Sequence, residues 1–505
     1  MDANDMREVV TKQLAYAVDS VNIPELKGKD KFYRGKVRES YMLGDKRLII
    51  TTDMLSAFDH VLRPVPYKGA VLNGIATFSM NAAADTFPNA LLETIGTVAM
   101  IQENLGVLPI EAIVRAYITG SAARDYFDKG QKTKSGIDLS KYLKEGKRNE
   151  RFTELLFTPS TKATTGHDED ISEEQIIESE LLTREQLDCI KRGSFCVFRV
   201  GEKLASERDL ILVDTKFEYG IDKNGKIKLV DEVLTPDSSR YWIAASYQDL
   251  YAQNKQPEEL SKEFTRKELI GRVAEMLGVD SKAIEKSLDK IPKEMWVSVF
   301  DDELRIGTSL KYLQLYKQFT GKELELTVGD PRKQMYNDLK AKGLIKGYFV
   351  PIIAGSPGDD EHVKKIKDDL QKRGIPCEHR ICSAHKGPVR LVKEVMADYE
   401  DSIEPVVYVT VAGMSNGLSG VVAANSRHPV IACPPYSEKY GGSDIYSTIR
   451  MPSGTPVMTV LEPSNVGAAA QRMFGLFDAE SQKRSVIEIQ SNRTKGSKAD
   501  EERKN

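Results

Sequence analysis

The rhythm of apolar and polar positions changes along this chain. Short β-branched runs bounded by polar residues, 47–52 (RLIITT) and 210–214 (LILVD), read as strands. Between 257 and 321 the period turns helical. Leu269, Val273, Met276 and Leu277 share one stripe, and Leu310, Leu313, Tyr316 and the stem of Lys317 share another; both stripes are expected in a core. Residues 322–347 are charged, contain Gly329-Asp330-Pro331, and read as a linker. Beyond them strand-like runs (348–354, 379–383, 405–412, 430–433, 456–461) alternate with helical spacings: Val363/Ile366/Leu370, Val389/Val392/Met396/Tyr399, 419–425 and 467–477. Such alternation requires parallel crossovers, hence an α/β, doubly wound parallel sheet. The tail, 480–505, is charged and poor in apolar residues and is expected to be disordered. The predicted organisation is a first domain over 1–321, a linker over 322–347, a second domain over 348–479, and the tail.

Composition narrows the class. Over 505 residues, 72 basic and 75 acidic side chains leave a net charge of −3, which gives no electrostatic case for nucleic acid or an anionic membrane. The five cysteines are odd in number and include no C-x-x-C pair, which argues against a disulfide framework and a zinc site. No apolar leader opens the chain and no stretch reaches the length of a membrane span, so a cytoplasmic protein is expected.

Open parallel sheets bind ligands beyond the carboxyl ends of their strands. Four segments fall there: Gly355-Ser356-Pro357-Gly358-Asp359, Ser383-Ala384-His385-Lys386, Gly413-Met414-Ser415-Asn416-Gly417 and Cys433-Pro434-Pro435. Glycines let backbone N–H groups approach an anion. Each segment alone is an ordinary tight turn; the convergence of four points to a site. His385 is the histidine at such an end, and imidazole is the side chain suited to moving protons near neutrality. The glycine spacing of GMSNGLSG fits neither a P-loop nor a dinucleotide fingerprint.

In the first domain Tyr33-Arg34-Gly35-Lys36-Val37-Arg38 is a short basic turn, suited to nucleotide phosphates but equally to a solvated surface. Asp214, Lys216 and Glu218 share one face of a strand at period two, either a solvated edge or a paired functional face. Asp231-Glu232 follow another β-type run, 226–230. Carboxylates on neighbouring strands are how Mg²⁺ is held beside ATP phosphates, which makes Glu218 and Asp231 the metal candidates.

These motifs carry two resemblances. GSPGDDEHVKKI, SAHKGP, VAGMSNGLSGVVAANSRHPVIACPP and MPSGTPVMTVL are similar to the aminoimidazole ribonucleotide carboxylase family over about 345–477. That resemblance implies a flavodoxin-like sheet assembled as a homo-octamer. The run 412–418 is similar to the class that uses CO2 directly without ATP, rather than to the mutase class. It also implies that Ser356 and Asp359 hold the ribose and phosphate end, that Ser383 and His385 sit at the reacting carbon with His385 relaying its proton, and that Gly413, Ser415 and Asn416 shape the CO2 site. Gly358 stands where that family usually has serine.

YRGKVRESY, TTDMLSAFDHVL, YKGAVLN, VRAYITGSAARDY, FTPSTKATTGHDEDIS, LVDTKFEYGID and LVDEVLTPDSSRYW resemble phosphoribosylaminoimidazole-succinocarboxamide synthase over about 28–245. The resemblance implies an α+β, ATP-grasp-like domain using ATP and Mg²⁺. Gly35, Lys36, Val37 and Arg38 would cover the phosphates, and Glu218 and Asp231 would bind the metal. Arg115, Ser121, Asp214, Lys216 and Arg240 would hold the ribonucleotide, with Lys216 and Asp214 at the chemistry. The loop 158–162, through Ser160 and Lys162, would take L-aspartate. Met54, and Met100 to Asn104, depart from the family's usual arginine and lysines at positions that bear on ATP. They motivate a second reading, an active carboxylase with a degenerate regulatory nucleotide-binding domain in front. His167 is expected to be loop structure.

Overall fold

The computed structural model describes residues 2–28, 31–130, 133, 135–162 and 169–504. His167 lies outside them. The chain forms two compact units, one from 1–20 with 32–335 and one from 21–31 with 336–505. The first boundary differs from the predicted one because the early segment is hydrogen-bonded within the second unit. Ile403 donates to the Asn22 carbonyl at 3.0 Å, Glu25 N–H donates to Glu404 at 3.0 Å, and Lys346 N–H donates to Glu25 at 2.6 Å. The expected linker carries a helix, Pro331–Ala341.

The first unit holds two larger antiparallel sheets. One has five strands in the order Phe32–Arg34, Arg38–Leu43, Lys46–Thr51, Ala99–Glu103, Leu91–Ile95. The other is built on the long strand Leu210–Ile221, which pairs with Ile110–Tyr117, Ile227–Val230, Ser239–Ile243 and Gly106–Val107. Alternation along the long strand explains its two faces. Val213, Phe217 and Tyr219 are fully buried in the core, beneath helix Arg184–Ser206. Asp214, Lys216 and Glu218 stand on the opposite face. The helix starts at a capping box, Thr183 with Gln186, which satisfies two of its free N–H groups. Helix Lys68–Ala83 packs on helix Asp302–Thr320. A separate apolar cluster joins helix Lys262–Leu277 to Leu55, Leu62, Trp296 and Phe300. The stripe expected on that helix ends early. Leu269 and Val273 are buried, but Met276 and Leu277 are exposed where the helix closes on the left-handed Gly278.

The second unit is a parallel five-stranded sheet. Its order is Cys377–Ile381, Val350–Ala354, Tyr408–Val411, Val430–Ala432, Met458–Thr459, or 2-1-3-4-5, the flavodoxin-like order. Helices Asp360–Lys372 and Val466–Phe474 cover one face through Val363, Ile366, Leu370, Val466 and Phe474. Leu391, Val395 and Tyr399, with Leu418 and Val422 of helix Gly417–Asn425, cover the other. Val389, expected on that apolar stripe, is exposed.

The charged tail, expected to be disordered, is a helix, Ala479–Lys504. Its polar residues find partners that composition cannot reveal. Gln471 donates to Ser485 at 2.9 Å, and Arg373 grips Glu488 with two bonds of 2.7 and 2.8 Å.

Candidate active sites

Three strands of the first unit bring one row of charges into register. Asp214 pairs across the sheet with Arg115 on one side and Arg240 on the other. Its Oδ2 accepts from Arg240 at 2.5 Å and from Arg115 at 3.3 Å. Arg115 also donates to Thr158 at 2.9 Å and to Ser121 at 3.1 Å. Ser121 is delivered by helix Gly120–Lys129, and Gly120 is required at its start. Its φ is +56°, and a Cβ would lie 2.6 Å from the Arg240 guanidinium. Burial pulls the Arg115 guanidinium down against Asp214, whereas Arg240, paired with Asp214 and Glu263, is held above its ordinary value despite burial. A pocket of about 110 Å³ opens beside this row, lined by Asp214, Ser238, Arg240, Ser261, Lys262 and Arg266.

One step along the strand, Lys216 is ion-paired with Glu111, which also accepts from Ser160 at 3.1 Å. Burial alone would lower the Lys216 ammonium; Glu111 and then Glu218 raise it. A further step along, Glu218 is ion-paired with Lys162. Glu218 is opposite Val230, so Asp231 follows at its side. Burial and then the charge of Asp231 push the Glu218 carboxyl up. Burial also pushes on Asp231, but Arg38 and Lys162 outweigh it and leave that carboxyl below its ordinary value. Arg38 donates to Asp231 at 2.5 Å and is also ion-paired with Glu232.

The basic turn is tight, with Gly35 N–H donating to the Arg38 carbonyl at 2.8 Å and the Val37 carbonyl accepting from Thr52 at 2.9 Å. Arg38 joins the carboxylates, but Lys36 does not; its ammonium pairs with Asp59 at 2.7 Å on the surface. The loop 158–162 divides its side chains among three partners: Thr158 on Arg115, Ser160 on Glu111, Lys162 on Glu218.

Sequence reasoning missed several residues here. Glu111 was legible, since it lies four residues before Arg115 and therefore on the same strand face. Gln102 was not. It lies in the stretch that departs from the family pattern, and it clamps Asp231 by donating to its carbonyl at 2.9 Å and accepting from its N–H at 3.0 Å. Those bonds hold Asp231 at φ +63°, a left-handed conformation that a non-glycine residue rarely adopts. Asp237 was missed as well. It is buried with Lys68 at 2.9 Å, Lys262 at 3.7 Å and the Tyr312 hydroxyl at 2.7 Å, in the turn that leads into strand Ser239–Ile243.

In the second unit the four predicted loops converge at the carboxyl end of the sheet. Gly355 N–H donates to the Val411 carbonyl at 2.8 Å, and His362 Nε2 lies 3.3 Å from Cys433 Sγ. The His385 ring packs against Gly417, where a Cβ would meet its Cε1 and Nε2 at 3.1 Å. His385 and Ser415 are exposed, and Ser383 is half-buried, accepting from Lys386 N–H at 3.3 Å. Ser356 and Asp359 close a turn on each other. The serine hydroxyl accepts from Gly358 N–H at 3.1 Å, and Asp359, its carboxyl pushed up by burial, accepts from Ser356 N–H at 3.1 Å. Asn416 is buried and caps helix Gly417–Asn425, accepting from Ser419 N–H at 3.2 Å while donating to Thr448 at 3.0 Å. Gly413 packs closely on Pro435.

Among the described residues no helix is long and apolar enough to cross a membrane, and no group of three or more His, Cys, Asp or Glu is placed to hold a metal. All five cysteines are unpaired.

The SAICAR synthetase family model matches residues 31–280, and the AIR carboxylase model matches 349–495. The phosphoribosylaminoimidazole-succinocarboxamide synthase of Flavobacterium psychrophilum is 37% identical over 294 residues, 58% of this chain and 87% of that protein. The corresponding protein of Bacteroides fragilis is 38% identical over 299 residues, 59% of this chain and 89% of its own length. Among solved structures, SAICAR synthase from Saccharomyces cerevisiae is 28% identical, with a TM-score of 0.46, covering 61% of this chain and 100% of that one. Treponema denticola PurE is 40% identical, with a TM-score of 0.30, covering 31% of this chain and 98% of that one. The chain belongs to the SAICAR synthetase family and carries an AIR carboxylase domain behind it, which makes it a bifunctional enzyme of purine biosynthesis, a ligase and a lyase on one polypeptide.

Proposed function

We propose that the two sites run consecutive steps. The second unit carboxylates aminoimidazole ribonucleotide with CO2 directly. The first condenses the product with L-aspartate, using ATP, to give the succinocarboxamide ribonucleotide, ADP and phosphate. The observation that carries the synthase half is the in-register row Arg240, Asp214, Arg115 running into Lys216 and Glu218 on one face of the long strand, with Asp231 following directly on the residue opposite Glu218.

The γ-phosphoryl group passes to the carboxylate of the ribonucleotide, the aspartate amine attacks the acyl phosphate, and phosphate leaves as the amide forms. Arg38 and Lys36, with the backbone of Gly35 and Val37, cover the phosphates. Arg115, Ser121, Asp214, Lys216 and Arg240 hold and orient the ribonucleotide, and Ser160 and Lys162 receive aspartate. The residues present fit a divalent ion. Glu218 and Asp231 are adjoining carboxylates, each already matched by a cation, and two carboxylates plus substrate phosphates are the usual way Mg²⁺ is held. Bound there, Mg²⁺ would offset charge on the phosphates. ATP lies between two lobes in an ATP-grasp-like arrangement.

In the second unit His385 accepts the proton of the carbon that gains the carboxylate, beside Ser383. Ser356 and Asp359 hold the ribose and phosphate, and Gly413, Ser415 and Asn416 shape the CO2 site. The unit assembles as a homo-octamer. Tyr436, Leu461 and Leu476 are 77%, 60% and 87% exposed, apolar surface that assembly would cover. Five unpaired cysteines support a reducing, cytoplasmic setting.

The test supplies purified protein with aminoimidazole ribonucleotide, bicarbonate, Mg·ATP and labelled aspartate. Labelled succinocarboxamide ribonucleotide is expected. Carboxylated ribonucleotide accumulating without aspartate incorporation would overturn the synthase assignment and favour a regulatory first unit. Light scattering after size exclusion checks the octamer, and a monomer would refute it.

A further inference from the structure

We propose that the metal carboxylates of the synthase site are neutralised from within when no metal is bound, by Lys162 on Glu218 and Arg38 on Asp231, so that divalent metal and nucleotide bind as one cooperative event. The inference rests on the reading of Glu218 and Asp231 as the metal ligands.

Glu218 and Asp231 adjoin, Asp231 following directly on the strand paired with that of Glu218, with side chains 14% and 27% exposed. Two carboxylates this close and this sheltered repel each other and need positive charge nearby. The fold supplies it from two different segments. Lys162 comes from the loop after strand Ser160–Thr161, and Arg38 opens the strand that leaves the basic turn. A metal ion entering alone would have to displace both cations from their partners, stranding an ammonium and half of a guanidinium beside a dication. Arg38 is anchored to swing rather than leave. Its other nitrogen stays paired with Glu232, which is itself fixed by the Thr235 hydroxyl.

A polyphosphate arriving with the metal changes the balance. The ammonium and guanidinium that release Glu218 and Asp231 are then no longer stranded, because the phosphates bring the negative charge that offsets them, and Arg38 is three residues from Gly35 at the phosphate-covering turn. Metal and nucleotide therefore each raise the other's affinity, by one and the same factor. Lys162, 37% exposed and held by Glu218, is the residue whose removal separates the two events.

The experiment titrates the full chain with Mn²⁺, reading free Mn²⁺ by electron paramagnetic resonance, with and without ADP. Wild type, Lys162→Met, Lys162→Gln and Glu218→Gln are compared, and tryptophan fluorescence verifies folding. Without ADP, both Lys162 variants should bind Mn²⁺ about tenfold more tightly than wild type, within the usual range of coupling between sites. Their gain in Mn²⁺ affinity on adding ADP should shrink by a similar factor. Unchanged or weaker Mn²⁺ binding in both Lys162 variants would overturn the proposal. If Glu218→Gln still removes the ADP-dependent Mn²⁺ site in that case, the metal reading survives and only the internal neutralisation fails. If Glu218→Gln leaves Mn²⁺ binding untouched, the metal reading itself is wrong and the proposal falls with it.

Discussion

Arg240 donates to Asp214 at 2.5 Å, and the carboxylate oxygen it reaches is the one that also takes Arg115, at 3.3 Å. One buried acid thus holds two buried guanidiniums in a fixed spacing across three strands. Asp214→Asn would leave Arg115 without the carboxylate it pairs with and Arg240 with Glu263 alone, at 3.5 Å. Breaking such a buried pair costs about 3–5 kcal/mol. Both tryptophans, Trp242 and Trp296, belong to the first unit, so their fluorescence reports its unfolding alone. The denaturant midpoint of that signal should fall, and synthase kcat/KM for the carboxylated ribonucleotide should drop about a hundredfold, the scale on which misplacing substrate-holding groups acts. Carboxylase turnover should be unchanged. An unaltered midpoint would mean that solvent already screens the two arginines.

Much of this arrangement could be read from the chain, for a physical reason. Period-two spacing puts Asp214, Lys216 and Glu218 on one face, and the structure has them there. The alternating runs of the second unit announced a parallel sheet, and its loops fall where strand ends must open. What was hidden depends on tertiary pairing. Gln102 is a polar residue in a strand until the fold brings the Asp231 backbone to its amide. The tail helix looks like a solvated charge run until Arg373 and Gln471 meet Glu488 and Ser485. Asp237 and Lys68 are 169 residues apart in sequence, and neither announces a buried pair.

Gln102 makes a prediction of its own. Its two bonds hold the backbone that presents the Asp231 carboxylate, although its side chain touches neither ion nor phosphate in the proposed scheme. Gln102→Leu keeps the volume and removes both bonds. Partners that orient a metal ligand are typically worth about 10–100-fold in metal affinity. Mn²⁺ binding in the presence of ADP should weaken by that factor. If it does not, the left-handed turn at Asp231 is maintained by the chain around it.

Glu263 sets an acid limit on the first unit. Burial pushes its carboxyl up, but Arg240, then Arg266 and Lys267, hold it at about 2 against an ordinary 4.5. A carboxyl held below its unfolded value contributes stability that is fully present above about pH 4.5. Between about 4.5 and 2 the unfolded chain binds more protons than the folded one, so this contribution falls as pH falls. It amounts to at most about 3 kcal/mol. Denaturation midpoints from tryptophan fluorescence should therefore decline between pH 5 and pH 3, and Glu263→Gln should flatten that decline while lowering the midpoint at pH 7. A variant with the same acid slope as wild type would assign the slope to other carboxylates.

In the proposed carboxylase site the His385 ring packs against Gly417. Gly417 opens helix Gly417–Asn425 with an ordinary backbone conformation, so alanine is sterically allowed by the main chain and favoured by helix propensity. Its new methyl, however, would stand 3.1 Å from Cε1 and Nε2 of the imidazole and push the ring outward. Gly417→Ala should therefore leave thermal stability equal or slightly raised while carboxylase kcat falls about 10–100-fold, the scale on which small displacements of a reacting group act. Removing the ring in His385→Ala should cost more, about 10²–10⁴-fold, if it carries the proton. Aspartate incorporation, assayed with the carboxylated ribonucleotide supplied directly, should be untouched in both variants. Full carboxylase turnover in Gly417→Ala would show that the imidazole's position against this helix does not govern the reaction.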